Sequence, residues 1–190
     1  MKLKVIFGII IPIFIILFLV ILASINIGFS ADENFVSTLR YNDIYESGQI
    51  KNQIQIGEIK IENDYFLPKR YILPYLVACL NDNEENKPRV YAGQVSYSEF
   101  DIPSDQYNSY PSQVDRSIEL GISEKKEIKV LLSPDYNLRY NTIDQLLNNY
   151  DQYDSLILAE SSSSNYYNAC QSLTSEELEK ATSIALNLSA

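Results

Sequence analysis

The chain of 190 residues contains no histidine, no tryptophan and, apart from Met1, no methionine. Without an imidazole there is no Ser-His-Asp or Cys-His catalysis and no histidine-ligated zinc, copper or haem, so the commonest general base and the commonest metal ligand are both missing. Glycine is sparse as well. The six glycines, at positions 8, 28, 48, 57, 93 and 121, never cluster, which excludes phosphate-cradling loops of the GxGxxG or GxxxxGK type. Only two cysteines are present, Cys79 in "YLVACLND" and Cys170 in "YYNACQSL", and they do not form a CxxC motif. Basic residues are outnumbered by acidic ones, 15 to 25, so nucleic acid is a poor partner.

What the chain does have is an apolar start. From Val5 to Ala23 nineteen residues run without a charge. As a helix that is about 28 Å, close to the ~30 Å hydrocarbon core. The run is longer than the apolar region of a cleavable signal peptide, about 7–15 residues, so the sequence predicts a retained transmembrane anchor over 5–23, with the membrane as its partner. Pro12 is tolerated in such a helix. Lys2 and Lys4 precede the segment, and Asp32 and Glu33 are the first charges after it, which places the N-terminus in the cytoplasm and the rest of a single-pass protein outside. The alternative is secretion after a cut near Ser30, with Gly28 at −3. The outer portion then carries thirteen basic and twenty-five acidic residues, a net charge of −12 that suits a soluble, self-repelling surface.

An even cysteine count in an oxidising compartment favours a disulfide between Cys79 and Cys170. Closing a loop of that length removes unfolded-state entropy equivalent to about 4–5 kcal/mol, less any native strain.

Residues 24–48 show no clean period and read as a stalk, with a single β-rich domain over 49–190. In "QIQIGEIKIEN" the isoleucines change parity at Gly57, the pattern of a half-buried strand with a bulge. "YILPYLVACL" is apolar at both parities, a strand buried on both faces whose Pro74 requires an edge or an irregularity. "VYAGQVSYS" reads as a strand bulged at Gly93. Ile118, Leu120 and Ile122, followed by Ile128, Val130 and Leu132, predict a hairpin.

The tail differs: "NTIDQLLNNYDQY" carries a 3.6-residue apolar period, and "SLILAE" reads as one more strand. In "SLTSEELEKATSIALNL" Thr174 and Glu177 form a capping box, Leu173 and Leu178 a hydrophobic staple, and Ala181 and Ala185 continue a helical face. The expected fold class is α+β: one N-terminal transmembrane helix, then an extracytoplasmic antiparallel β-sheet or β-sandwich with C-terminal helices.

Motifs with catalytic spacing fail in context. Tyr65 lies four residues before Lys69, but the intervening Pro68 denies them a shared helical face, and Ser123 with Lys126 falls in a turn. The carboxylates Asp82, Glu84 and Glu85, and Asp151 with Asp154, lack the DxDxDG spacing of a calcium loop. Asn187 opens an "NLS" acceptor pattern of the kind that chance produces in a chain rich in Asn and Ser. No cofactor, metal or catalytic residue is expected.

Fifteen tyrosines are mostly accounted for by pleated sheet. The segment "YSEFDIPSDQYNSYPSQ" is a long inter-strand loop whose Phe100, Tyr107 and Tyr110 rank first as contact residues. The plan of an apolar start and a small β-rich domain rich in Ile, Asn, Ser and Tyr resembles single-pass archaeal surface proteins. That resemblance implies a cell-envelope protein and carries no site residue. The function expected is therefore a non-catalytic, membrane-anchored binding or scaffolding protein with a protein or cell-envelope partner. An accessory single-span subunit of a larger membrane complex is the alternative. Non-reducing peptide mapping of exported protein is expected to yield one linked Cys79–Cys170 pair, and free thiols at both positions would remove the covalent staple.

Overall fold

The computed structural model describes residues 8, 10–24, 28–81, 89–98, 117–140, 155–160 and 166–188. Its elements are α1 (Ile11–Ser24), β1 (Phe29–Phe35), β2 (Thr38–Arg40), α2 (Tyr41–Ile44), β3 (Tyr45–Glu46), β4 (Gln49–Ile50), β5 (Ile54–Asn63), β6 (Lys69–Ile72), β7 (Leu76–Asn81), β8 (Val90–Tyr97), β9 (Ser117–Leu120), β10 (Glu124–Pro134), α3 (Tyr136–Tyr140), β11 (Ser155–Glu160), α4 (Tyr166–Ser172), α5 (Ser175–Lys180) and β12 (Thr182–Asn187). Eight strands form one curled sheet in the order β1-β5-β10-β8-β7-β11-β12-β2, antiparallel except for the β12–β2 pair.

The two edge strands of that sheet are consecutive in the chain. β1 pairs along β5 from Phe29 to Phe35, while β2 pairs along β12 from Thr38 to Arg40. Between them Val36 N–H still donates to Ile56 O (3.0 Å), and Ser37 O already accepts from Ala185 N–H (3.1 Å). One backbone thus changes partner over two residues, bending the sheet round until its edges meet at that corner. The inner face holds the main core, including Ile56, Ile59, Ile61, Leu120, Ile128, Val130, Leu156 and Ile184.

Parity along β5 shows how this core is filled. Ile54, Ile56, Ile59 and Ile61 are all buried although their parity changes at Gly57. The pairing with β10 shifts there, Val130 facing Gly57 and Leu131 facing Gln55, so the extra residue returns both halves of the strand to one face. Gly93 serves the same purpose in β8, where the register with β7 shifts between Ala78 and Cys79. Its φ is +151°, and a Cβ there would lie 2.2 Å from Ser133 O.

β7 is buried on both faces, as its sequence implies. Leu76 and Ala78 join the inner core, while Val77 and Cys79 join a second cluster with Ala159, Ala169, Cys170 and Leu173. The two cysteines lie at disulfide distance, with Cα atoms 5.7 Å apart, and fasten α4 to the outer face of the sheet. Arg89 satisfies the end of α4, donating to Cys170 O (2.9 Å) and Leu173 O (3.0 Å), where a cation suits the helix dipole. α5 starts on the expected capping box: Glu177 N–H donates to Thr174 Oγ1 and Thr174 N–H donates to Glu177 Oε2.

Buried Asn63 ends β5. Its amide donates to Leu67 O (3.1 Å) and Gly121 O (2.8 Å), and its carbonyl accepts from Tyr65 N–H, so one satisfied polar side chain joins two turns.

Several expectations are corrected. The α+β class with an N-terminal transmembrane helix gives way to a mostly β protein built on one curled sheet rather than a two-sheet sandwich. Among the described residues no helix is long and apolar enough to cross a membrane. α1 has fourteen residues, about 21 Å against a hydrocarbon core of about 30 Å.

The supposed stalk over 24–48 contains β1 and β2, integral strands of the sheet. Ser30 lies inside β1, paired with Glu62, so a cut beside it would strip Phe29 from the strand and from its contact with Tyr71. Leu73 to Tyr75 interrupt the apolar run at Pro74, whose carbonyl accepts from Tyr97 Oη at 2.6 Å. β9 pairs with β6 instead of forming a hairpin with β10. The helical face expected through Ala185 ends at Lys180, and β12 follows. The apolar helix pattern near 142–150 and the loop with Phe100, Tyr107 and Tyr110 lie outside the described residues.

Gly93→Ala tests the bulge. It is expected to lower unfolding stability by about 2 kcal/mol or more, whereas Gly121→Ala, whose nearest neighbour is the flexible end of Glu124, stays within about 1 kcal/mol. Denaturant titration distinguishes them.

Candidate functional site

Two concavities among the described residues are candidates for a binding role. The first is a partly open hollow of about 80 Å³ against the curled sheet, lined among the described residues by aliphatic side chains and Pro134, including Leu39, Ile44, Ile54, Leu132 and Leu156. Such an apolar wall offers almost no hydrogen-bonding surface to fix a ligand's orientation. Tyr45 is buried and stacked on Tyr41 at 4.4 Å, with no hydrogen-bond partner for its hydroxyl among the described residues.

The second is a cleft of about 570 Å³ lined by Glu33 and Phe35 of β1, Tyr75 and Leu76, Leu158 and Glu160 of β11, Glu177 and Lys180 of α5, and Thr182. It lies where β1 has left the β12 side to follow β5. Its floor is apolar through buried Leu76 and Leu158, and its rim is charged.

Backbone phase adds a second feature to this cleft. Val36 N–H bonds Ile56 O, and Gly28 O accepts from Asp64 N–H, so in the β1–β5 register the even-numbered residues of β1 carry the bonds to β5. The N–H and C=O groups of Phe29, Ala31, Glu33 and Phe35 therefore point to the other edge, along which no described strand runs. Side chains of those same odd residues face inward, and two of them, Glu33 and Phe35, line the cleft.

Electrostatics sharpen the picture. Glu33 accepts a 3.0 Å hydrogen bond from Tyr71 Oη. Burial, then Glu33, then the nearby charge of Glu160 push the Tyr71 hydroxyl well above the ordinary tyrosine range. The backbone and side chain of Thr174 hold the Glu177 carboxyl below the usual value. Lys180 pairs with Glu176 at 2.7 Å. Three carboxylates and one already paired cation thus border the cleft.

The remaining sequence candidates do not assemble a site. Lys69 Nζ sits 4.6 Å above the Tyr65 ring, a cation–π contact. Ser123 occupies the turn before β10 with φ +58°, whose strain goes with the tight reversal, and Lys126 pairs with Glu124 at 3.6 Å. Asn187 is exposed at the end of β12. Phe100, Tyr107 and Tyr110, and the carboxylates at 82, 84, 85, 151 and 154, lie outside the described residues. Sequence reasoning missed Glu33 and Glu160 as site residues. The one available signal was a charged residue at an inward parity of "FSADENF", which is recognisable only once that segment is read as a strand.

No family model matches the chain, and no curated protein matches it. Among solved structures, a GH20 exo-β-N-acetylglucosaminidase from Vibrio harveyi in complex with N-acetylglucosamine is similar at 9% identity and a TM-score of 0.19, covering 85% of this chain and 18% of that one. An inactive mutant of the same enzyme gives the same figures. The chain spans less than a fifth of the enzyme's length, and a likeness at this level carries no argument about fold or function.

Burial chiefly raises the Tyr45 hydroxyl from 10.0 to about 12. The raised value belongs to the folded state, so its contribution to stability is full below pH 10.0 and is lost as pH rises from there through about 12. Tyr45→Phe is expected to flatten this alkaline loss. It also removes a buried hydroxyl without a partner, so stability at pH 7 should hold or rise by about 1 kcal/mol. Chemical denaturation of both proteins from pH 8 to 12 checks both expectations.

Proposed function

We propose that the protein is a non-catalytic, extracytoplasmic binding domain whose contact surface is the cleft between β1 and the β11–α5–β12 segment. The observation that carries this reading is the coincidence, in one concavity, of a strand edge with no neighbour among the described residues, an apolar floor and a carboxylate rim. Binding surfaces of small domains combine such an apolar centre with a polar rim.

The outward location is supported by the paired cysteines, since disulfides persist in oxidising compartments. Ile10 to Ile21 present large side chains that are 42 to 66% exposed around α1. That surface supports a membrane as a partner of the N-terminal segment, met by a helix shorter than the hydrocarbon core. It equally favours a second reading, in which α1 is covered by a larger membrane assembly to which this chain is an accessory subunit. A protein or cell-envelope component is the partner in either case, and nucleic acid is disfavoured by the net charge of −10.

Site-specific photocrosslinking in the native cell separates the cleft from other surfaces. A benzophenone side chain in place of Thr182 is expected to capture the partner, and one in place of exposed Lys129 on β10 is not. Adducts formed only through position 129, or only through position 107 in the aromatic segment, would place the contact surface elsewhere.

A further inference from the structure

The cleft's backbone and charges define what kind of partner fits it. We infer that the cleft accepts an extended basic segment of a partner protein, which adds as an antiparallel strand to the outer edge of β1. This inference rests on the reading of the cleft as the contact surface and names the chemistry of its occupant.

Strand addition needs a row of unsatisfied N–H and C=O groups and room beside them. Among the described residues no strand pairs with the outer edge of the odd-numbered residues of β1, and the cleft opens beside two of them, Glu33 and Phe35, facing β11, α5 and Thr182. A strand added to β1 would run about 4.8 Å from it, passing beside the cleft-lining Glu33 and Phe35.

Side-chain complementarity follows from pairing. In an antiparallel ladder, directly opposed residues share a face. A residue opposite Glu33 therefore points inward toward Glu33 and Glu160, and one opposite Asp32 points outward beside an exposed carboxylate. Both positions call for Lys or Arg. A residue opposite Phe35 points inward, where Phe35, Leu76 and Leu158 call for an apolar side chain, and one opposite half-buried Ala31 shares that face and is apolar too. Read along the partner, the motif is apolar, any, basic, basic, apolar.

A second copy of the chain is a poor occupant. Edge-to-edge antiparallel pairing of two β1 strands through their odd-numbered residues sets Asp32 against Asp32 in one register and Glu33 against Glu33 in the next, like charges directly opposed. Inward-facing Glu33 is also a device that blunts a sheet edge against uncontrolled pairing. The same carboxylate that repels a self-copy attracts a cation, so edge protection and selectivity reside in one residue.

The probe is a fluorescein-labelled peptide, acetyl-Thr-Val-Thr-Lys-Lys-Val-Thr-amide, read by anisotropy against the whole chain. Saturable binding is expected. N-methylation of both valines and the first lysine, the amides that face β1, should weaken it about 100-fold through three lost hydrogen bonds. Glu160→Lys and Glu33→Lys should each weaken it about tenfold at low salt. Glu160 lies exposed at a strand end, so its variant stays informative if the Glu33 variant loses its bond to Tyr71 and folds poorly.

Binding that is insensitive to N-methylation overturns strand addition. Equal binding of a peptide with both lysines replaced by threonine overturns the basic class while leaving the cleft as the contact surface. Absence of saturable binding by every peptide, with photocrosslinks still forming through position 182, overturns this inference and spares the contact surface. Absence of both overturns the two together.

Discussion

Twelve residues of backbone, from Phe29 to Arg40, belong to both edges of one sheet, and the rest of the structure depends on that constraint. A sheet whose first strand must pair with β5 and, a few residues later, with β12 cannot stay open. It curls, and the curl gives the isoleucines of β5, the aliphatics of β10 and Leu156 and Ile184 a common interior. The bulges at Gly57 and Gly93 belong to the same geometry, because sharply bent strands need an extra residue to keep their inward side chains in phase. Curling is incomplete, and where β1 diverges from β12 the sheet leaves the cleft.

The outer helices stabilise the opposite face. α4 and α5 cover β7, β8 and β11 through a second, smaller cluster, and the Cys79–Cys170 link crosses from sheet to helix at its centre, fully buried. A chain with only two cysteines thus uses them to join segments 91 residues apart. Arg89 and the Thr174–Glu177 box finish the helix ends, so α5 is held at a defined place on the cleft wall. Sites supported on rigid elements hold their geometry better than sites on loops.

Local signals in the sequence were legible and long-range pairing was not. Period-two alternation with a glycine at the parity change identified β5 and its bulge, and the apolar character of "LVACL" at both parities identified a strand covered on both faces. The capping box located the start of α5 to the residue. Cysteine parity anticipated the pairing of Cys79 with Cys170.

β9 misled because neighbours in sequence usually form hairpins, whereas Ser117–Leu120 finds its partner in Lys69–Ile72. "TSIALN" misled because alanine and leucine suit a helix until β11 and β2 offer edges on both sides. The apolar start misled because hydropathy has no length marker for a helix, and the cleft stayed hidden because its lining comes from four separate stretches of chain.

The most direct test of this account is residue-resolved amide exchange along β1. Val36 and Ala185, whose N–H groups bond across the corner where the sheet changes partner, should exchange as slowly as the core strands. Ser30, Asp32 and Asn34, bonded to β5, should be protected, while Ala31, Glu33 and Phe35 exchange rapidly from the outer edge. That alternation is the result the account predicts. Uniform protection from Ser30 to Phe35 would show the outer edge already paired and contradict it.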